Sequence, residues 1–142
     1  MRTVHPLFML ASVSLLATAC LKAHPVELGA AAGAGPVTCD SNCTMAWERA
    51  QFWVAKHGAW KIQSATNILI QTYNPPEHDT RYGISVMKEP LEGGRYTIKL
   101  ALYCANWIRC DPRAADVAAA FNHYVATGVD ILDTAKHGSA IK

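Results

Sequence analysis

Five cysteines in a chain of 142 residues constrain its fold more than any other feature of the sequence. Four of them form two close pairs, separated by four and by six positions, and the fifth stands alone near the N-terminus. An odd number of cysteines in an exported protein leaves one thiol without a disulfide partner. The disulfide pattern therefore depends on whether the chain is exported and on what happens to the odd cysteine. The five are Cys20, Cys39, Cys43, Cys104 and Cys110.

The first 19 residues have the organisation of an export signal. Arg2 gives a short positive region, Leu7 to Leu16 an apolar region too short to span a bilayer, and Ala17-Thr-Ala19 a small-residue cleavage site. The alternative, a buried N-terminal helix, is disfavoured because the three parts stand in the order of a signal peptide. Residues 1–19 are therefore predicted to be removed on export.

Cys20 directly follows Leu16-Ala-Thr-Ala, and this stretch resembles the lipobox of bacterial lipoproteins. The resemblance implies cleavage before Cys20, fatty acyl chains such as palmitate on that cysteine, and stable membrane anchoring, which needs two or more chains. The lipobox prefers leucine three residues before the cysteine, where this chain has Ala17. Cleavage by the ordinary signal peptidase, giving a soluble secreted protein, is the alternative. Leu21 in place of aspartate favours the outer membrane, facing the periplasm.

If Cys20 carries lipid, the other four cysteines can pair in three ways. We favour Cys104–Cys110, which closes the loop between the last strand and the last helix, together with Cys39–Cys43, which requires Cys39 to lie outside the helix. The runner-up crosses the two pairs. A zinc site of four thiolates or a thiol-redox site is a further alternative, but the spacings lack the Cys-x-x-Cys unit typical of either. The sequence predicts no metal and no cofactor.

Residues 20–38 are predicted to be a flexible tether, because glycine, proline and alanine dominate them and no period is visible. The formal net charge is +2, and loss of Arg2 with the signal peptide leaves about +1. A basic face of the kind that binds nucleic acid is therefore not expected.

Residues 39–128 carry the patterns of one folded domain. Apolar residues at helical spacing predict a first helix from Thr44 to His57, with cap oxygens on Ser41, Asn42 and Thr44 and with Gly58 after its end. Its two tryptophans are expected in the core, and His57 suits the helix dipole. Asp111-Pro112 predicts the start of a last helix that ends at Gly128.

Alternating and β-branched runs predict strands between the helices. WKIQS and residues 68–73 form one long strand or two short ones, residues 84–88 form the next, and Gly93-Gly94 turns into the strand 95–104. The simplest burial gives an α+β fold, a two-layer sandwich of an antiparallel sheet of three or four strands with both helices on one face. Residues 129–142 are predicted to be a C-terminal tail.

The polar loop Glu77-His78-Asp79 brings three titratable side chains together. It is the candidate site of a hydrolase-like enzyme, secreted or periplasmic, although an ordinary solvated loop is the simpler interpretation. No phosphate-binding or hydrolase motif is present, and no catalytic residue is assigned.

With its lipobox-like cysteine and its layout of elements, the chain resembles small Gram-negative lipoproteins that carry one compact domain on a tether. This resemblance implies a location and an architecture. Our leading hypothesis is a non-enzymatic binding module of the envelope, either an accessory subunit of an envelope complex or an inhibitor of an envelope-acting enzyme. The partner is then the membrane, through lipid on Cys20, and a protein. The rivals are the enzyme described above and a purely structural envelope protein.

Overall fold

The computed structural model describes residues 35–132, which form an α+β fold of two helices and one antiparallel sheet. This confirms the predicted α+β class and the antiparallel sheet. The signal peptide, Cys20 and the tether up to residue 34 lie outside the described residues, as does the tail from residue 133. The elements in chain order are β1 (Val37–Cys39), α1 (Cys43–His57), β2 (Ile62–Ala65), β3 (Leu69–Thr72), β4 (Gly83–Pro90), β5 (Tyr96–Tyr103) and α2 (Ala114–Thr127).

The sheet has five strands in the order β1-β5-β4-β3-β2, where three or four were predicted. The two runs after α1 are separate strands, and Thr66 makes the turn between them. Its hydroxyl oxygen accepts hydrogen bonds from the N–H groups of Ile68 and Leu69, at 3.3 and 3.0 Å. Both outer strands are short, and the pairing of β2 with β3 has a register shift between Ile62 and Ser64.

The additional strand, β1, corrects the predicted tether. Val37 and Thr38 were assigned to the tether but pair with Ile98 and Thr97 of β5. Three residues are too few to show an alternating pattern, and the preceding glycines hide the strand further. The folded part therefore begins before Cys39.

The core lies between the helices and the sheet. Trp53 of α1 meets Phe121 of α2 edge to face, with ring centroids 5.2 Å apart. Alternate residues of the central strands, among them Val86 and Ile98, belong to the same buried cluster. Trp47 and Trp53 are 6% and 1% exposed, so both are core residues as predicted.

The helix starts differ from the sequence prediction. Asn42 precedes α1, but no side chain makes a capping hydrogen bond there. The predicted start of α2 at Asp111-Pro112 is wrong, because α2 begins at Ala114. Arg113 is the residue that precedes α2, and no side chain makes a capping hydrogen bond there. The Asp111 N–H donates to Thr80 O at 2.9 Å, which joins this segment to a neighbouring loop.

The predicted glycine caps are both at helix ends. Gly128 follows α2 with a φ of 80°, the left-handed conformation that favours glycine. Gly58 follows α1 for a different reason, since a Cβ at this position would lie 2.5 Å from Val54 O. Within residues 35–132, no helix is long and apolar enough to cross a membrane.

Candidate functional site

Both disulfides have the pairing that the sequence favoured. Cys39 and Cys43 are bridged with Cα atoms 5.0 Å apart, and Cys104 and Cys110 with Cα atoms 5.9 Å apart. The four sulfur atoms are therefore paired and do not act as thiolates. Cys39 and Cys43 are buried in the core cluster, whereas the Cys104–Cys110 bridge, of which Cys110 is buried and Cys104 half-buried, closes a loop with an exposed tip.

This loop, residues 104–110, displays two large apolar side chains. Trp107 is 80% exposed and Ile108 is 71% exposed, the highest values among the large hydrophobic residues that the structure describes. Arg109 is exposed beside them. Single exposed apolar residues are common, but two adjacent ones on a covalently closed loop are a candidate binding feature.

Asn106 fixes the tip of the loop. Its side-chain oxygen accepts hydrogen bonds from the N–H groups of Ile108 and Arg109, at 2.9 and 3.2 Å. An asparagine that bonds the backbone two residues ahead makes a compact local turn. Its side-chain nitrogen donates to His78 O at 2.6 Å, which attaches the tip to a second loop.

The second loop, residues 77–81, braces the first at both ends. The His78 N–H donates to Ala105 O at 3.4 Å, and Thr80 O accepts from the Asp111 N–H at 2.9 Å. His78 has a φ of 67°, a conformation that a non-glycine residue rarely adopts. The segment singled out as a candidate catalytic loop is thus built into the support of the Trp107 tip.

The three titratable residues of that segment are not assembled into a catalytic set. Asp79 is bound by Arg81 through two side-chain hydrogen bonds, of 3.0 and 2.7 Å, and accepts a third from the Arg81 N–H at 2.8 Å. These bonds hold the pKa of Asp79 at about 2, well below its usual value. Glu77 and His78 are exposed, and no hydrogen bond between described residues joins the His78 imidazole to either carboxylate.

A second constellation lies at the end of α1. His57 Nε2 is 2.6 Å from Asp130 Oδ2, and Lys56 Nζ is 3.0 Å from the same oxygen. Burial raises the pKa of Asp130, but the hydrogen bonds from His57 and Lys56 outweigh it and lower the pKa to about 2. Asp130 belongs to the segment predicted as tail, yet it joins the end of α2 to the end of α1.

The sequence analysis missed both features as sites. A signal for the first was present, because two large apolar residues between cysteines are unusual in a loop, where polar residues dominate. No local signal existed for the second, since His57 and Asp130 are 73 positions apart.

Comparisons with protein-family models, with curated proteins and with solved structures found no match to this chain.

Proposed function

We propose that this protein is a non-enzymatic binding module of the bacterial envelope, held on the membrane by lipid on Cys20. In this proposal the Cys104–Cys110 loop binds a protein partner, either a subunit of an envelope complex or an enzyme that the module inhibits. The observation that carries the proposal is the exposure of Trp107 and Ile108, 80% and 71%, on a closed and braced loop.

The energetic argument starts from the exposed side chains. Burying a large apolar side chain stabilises a complex by roughly 1.5–3 kcal/mol. Tryptophan and arginine are over-represented among the residues that dominate binding energy at protein interfaces, and the tip has Trp107 and Arg109 two positions apart. The loop thus offers an anchor of the composition found at interface centres, and an apolar recess is the partner surface that fits it.

Rigidity adds to the argument. A loop that must be ordered on binding loses affinity through the entropy of its backbone and side chains. Here the disulfide, the Asn106 turn and the hydrogen bonds to residues 77–81 hold the backbone before any partner arrives. Little of the free energy gained by burying Trp107 is therefore lost to ordering the loop.

Charge favours a protein partner over a lipid surface. Binding to anionic lipid needs a cluster of basic side chains, and Arg109 is the only cation within the loop. Arg81 in the bracing loop is paired with Asp79 at 2.7 Å. The membrane contact in this proposal is accordingly made by lipid on Cys20 and not by the tip.

A photo-crosslinking experiment tests the binding site. The chain is produced in its native envelope with p-benzoylphenylalanine in place of Ile108, and adducts are identified by mass spectrometry. We expect one reproducible protein adduct, competed by unlabelled wild-type protein. As the matched control, the same group replaces Ile68, which is 59% exposed in the β2–β3 turn. Adducts that are equal at both positions, or confined to lipid, would overturn the proposed site.

Affinity for the identified partner provides the quantitative test. Trp107→Ala is expected to weaken binding by about 2 kcal/mol or more, roughly thirtyfold in Kd. Ile68→Ala, which shortens an exposed side chain elsewhere, should leave Kd within twofold, and both variants should unfold like the wild type. A Trp107→Ala variant with unchanged Kd would contradict the proposal.

The anchor is tested separately by the intact mass of the membrane-extracted protein under non-reducing conditions. We expect a chain starting at Cys20, with two or three acyl chains and four fewer hydrogens from two disulfides. A free thiol at Cys20, or a different first residue, would refute the anchor and leave the binding site to its own tests.

A further inference from the structure

A cavity of about 290 Å³ lies between the end of α1, the start of β4 and the start of α2. Its floor is apolar, because Trp53, Ile84 and Val117 in its wall are only 1%, 5% and 7% exposed. An apolar cavity of about 150 Å³ binds benzene, so a cavity of roughly twice that volume has room for two fused rings. The exposed residues of the wall form its mouth, and they are Ala59, Arg81, Asp111 and Pro112.

One carboxylate at the mouth has no partner. The Asp111 side chain makes no hydrogen bond or ion pair with another residue in the described range 35–132. Its negative charge nevertheless acts on the cavity wall, to which Tyr82 belongs. Burial raises the pKa of Tyr82 and the charge of Asp111 raises it further, although a hydrogen bond with the Ala114 backbone opposes both. A cation at the mouth is therefore favoured over an anion.

The other two charged or titratable side chains of basic type in the wall are already paired. Two hydrogen bonds, of 3.0 and 2.7 Å, join the guanidinium of Arg81 to Asp79. His57 Nε2 is 2.6 Å from Asp130 Oδ2. An anionic ligand would have to compete with these two carboxylates. Among the described wall residues, Asp111 is accordingly the charged group that a ligand can neutralise without breaking an existing pair.

We propose that this cavity binds an organic ammonium ion with a fused-ring apolar body, whose rings lie on the apolar floor and whose ammonium group pairs with the Asp111 carboxylate at the mouth. The half-buried Tyr82 adds to the attraction, since ammonium groups are drawn to the faces of aromatic rings. Asp111 directly follows Cys110, so the site adjoins the loop that presents Trp107. Binding of such an ion requires no protein partner.

Three probes of similar size test the ligand class by calorimetry. Tryptamine is an ammonium ion at neutral pH, tryptophol has a hydroxyl in place of the amine, and indole-3-propionate is an anion. The chain is exported with Cys20→Ser behind an ordinary signal peptide, so that it is obtained without lipid or detergent. We expect one saturable site for tryptamine, about three- to fivefold weaker binding of tryptophol, which lacks the ion pair, and still weaker binding of the anion.

Salt provides a second measurement, because an ion pair at an exposed mouth is screened. Raising the salt concentration should reduce the preference for tryptamine over tryptophol. Absence of saturable tryptamine binding would overturn the proposal. So would equal affinities for tryptamine and tryptophol at low salt, which would show that the cavity takes any fused-ring molecule.

Asp111→Asn tests the role of the carboxylate and keeps the size of the side chain. It should weaken tryptamine binding to the level of tryptophol and leave tryptophol binding within twofold. The matched control is Asp40→Asn, because Asp40 is also exposed but precedes the opposite end of α1, about 20 Å from His57 along the helix. If Asp111→Asn keeps the preference for tryptamine, or if Asp40→Asn loses it, the assignment to Asp111 is wrong.

NMR locates the rings of the probe. Bound tryptamine is expected to give nuclear Overhauser contacts to the methyl groups of Ile84 and Val117, and none to Ile108 at the exposed tip. Trp107→Ala should leave the affinity for tryptamine within twofold, although the same variant is expected to lose affinity for the protein partner. Contacts to Ile108 in place of Ile84, or loss of tryptamine binding in Trp107→Ala, would place the probe on the tip and overturn the proposed site.

Discussion

The two disulfides have the same chemistry in two different settings. Cys39–Cys43 lies in the core where β1 meets the start of α1, and its two residues are 4% and 8% exposed. Cys104–Cys110 lies where β5 leaves the sheet, and it encloses the two most exposed large hydrophobic side chains of the described residues. The comparison teaches that one bridge fastens elements that bury each other, whereas the other closes a loop whose tip residues, Trp107 and Ile108, stay exposed.

The largest effect on stability is expected from the buried bridge. Cys39→Ala with Cys43→Ala removes a cross-link worth on the order of 2 kcal/mol by the chain-entropy model and also removes buried sulfur atoms from the core. We therefore expect the free energy of unfolding to fall by about 2–4 kcal/mol, measured by urea denaturation. Affinity for the partner should stay within about twofold in conditions where the variant is folded.

The Cys104–Cys110 bridge should contribute less to stability and more to affinity for the partner than the buried bridge does. Cys104→Ala with Cys110→Ala is expected to lower the free energy of unfolding by about 2 kcal/mol, the value of the cross-link, since only Cys110 of this pair is buried and neither cysteine belongs to the main core cluster. Because the tip loses its covalent closure, affinity for the partner should fall by about tenfold through the cost of ordering it. An unchanged affinity would show that Asn106 and the bracing loop hold the tip in place without the disulfide. If the two double substitutions changed the free energy of unfolding equally and the affinity equally, the proposed difference between the two bridges would be wrong.

The smallest effect should come from the ion pair in the bracing loop. Arg81→Ala is expected to return the pKa of Asp79 from about 2 towards its usual value near 4, followed by NMR titration of its carboxyl carbon. A lowered folded-state pKa stabilises the fold above the unfolded pKa, and this contribution is lost as the pH falls from about 4 to 2. The wild type should therefore lose more stability over that range than Arg81→Ala.

Arg113→Ala provides the control for this titration. Arg113 pairs with Asp116 on the exposed surface of α2, three positions away in sequence. Its removal should leave the pKa of Asp79 unchanged. If Arg81→Ala also leaves that pKa unchanged, the pairing seen between Asp79 and Arg81 does not persist in solution.

The elements that were predicted correctly from the sequence are those in which buried residues recur at a regular spacing. The alternation in β5 and the apolar stripe of α1 both reflect one buried face, and both elements were placed within one or two residues. The fold class follows from such patterns. Strand β1 could not be predicted in this way, because its three residues owe their conformation to pairing with β5 and not to a period of their own.

Features that depend on distant partners were mispredicted or missed. Asp111 and Pro112 have the local composition of a helix start, but α2 begins at Ala114, and the Asp111 N–H donates to Thr80 O of the bracing loop. The pairing of His57 with Asp130 joins residues 73 positions apart, and no pattern in one sequence reports such a contact. Four cysteines can pair in three ways, and the structure has the pairing with the two short loops, which the sequence analysis favoured.

The two outer strands are short, and this limits the pairing of sheets between neighbouring copies of the protein. Free N–H and C=O groups at the border of a sheet are a template on which another molecule can add a strand. Here one border is β1, with three residues, and the other is β2, with four residues and a register shift. Neither offers the long, regular row of groups that such growth requires. Copies that meet at high local concentration are therefore not expected to aggregate by pairing the edge strands of their sheets.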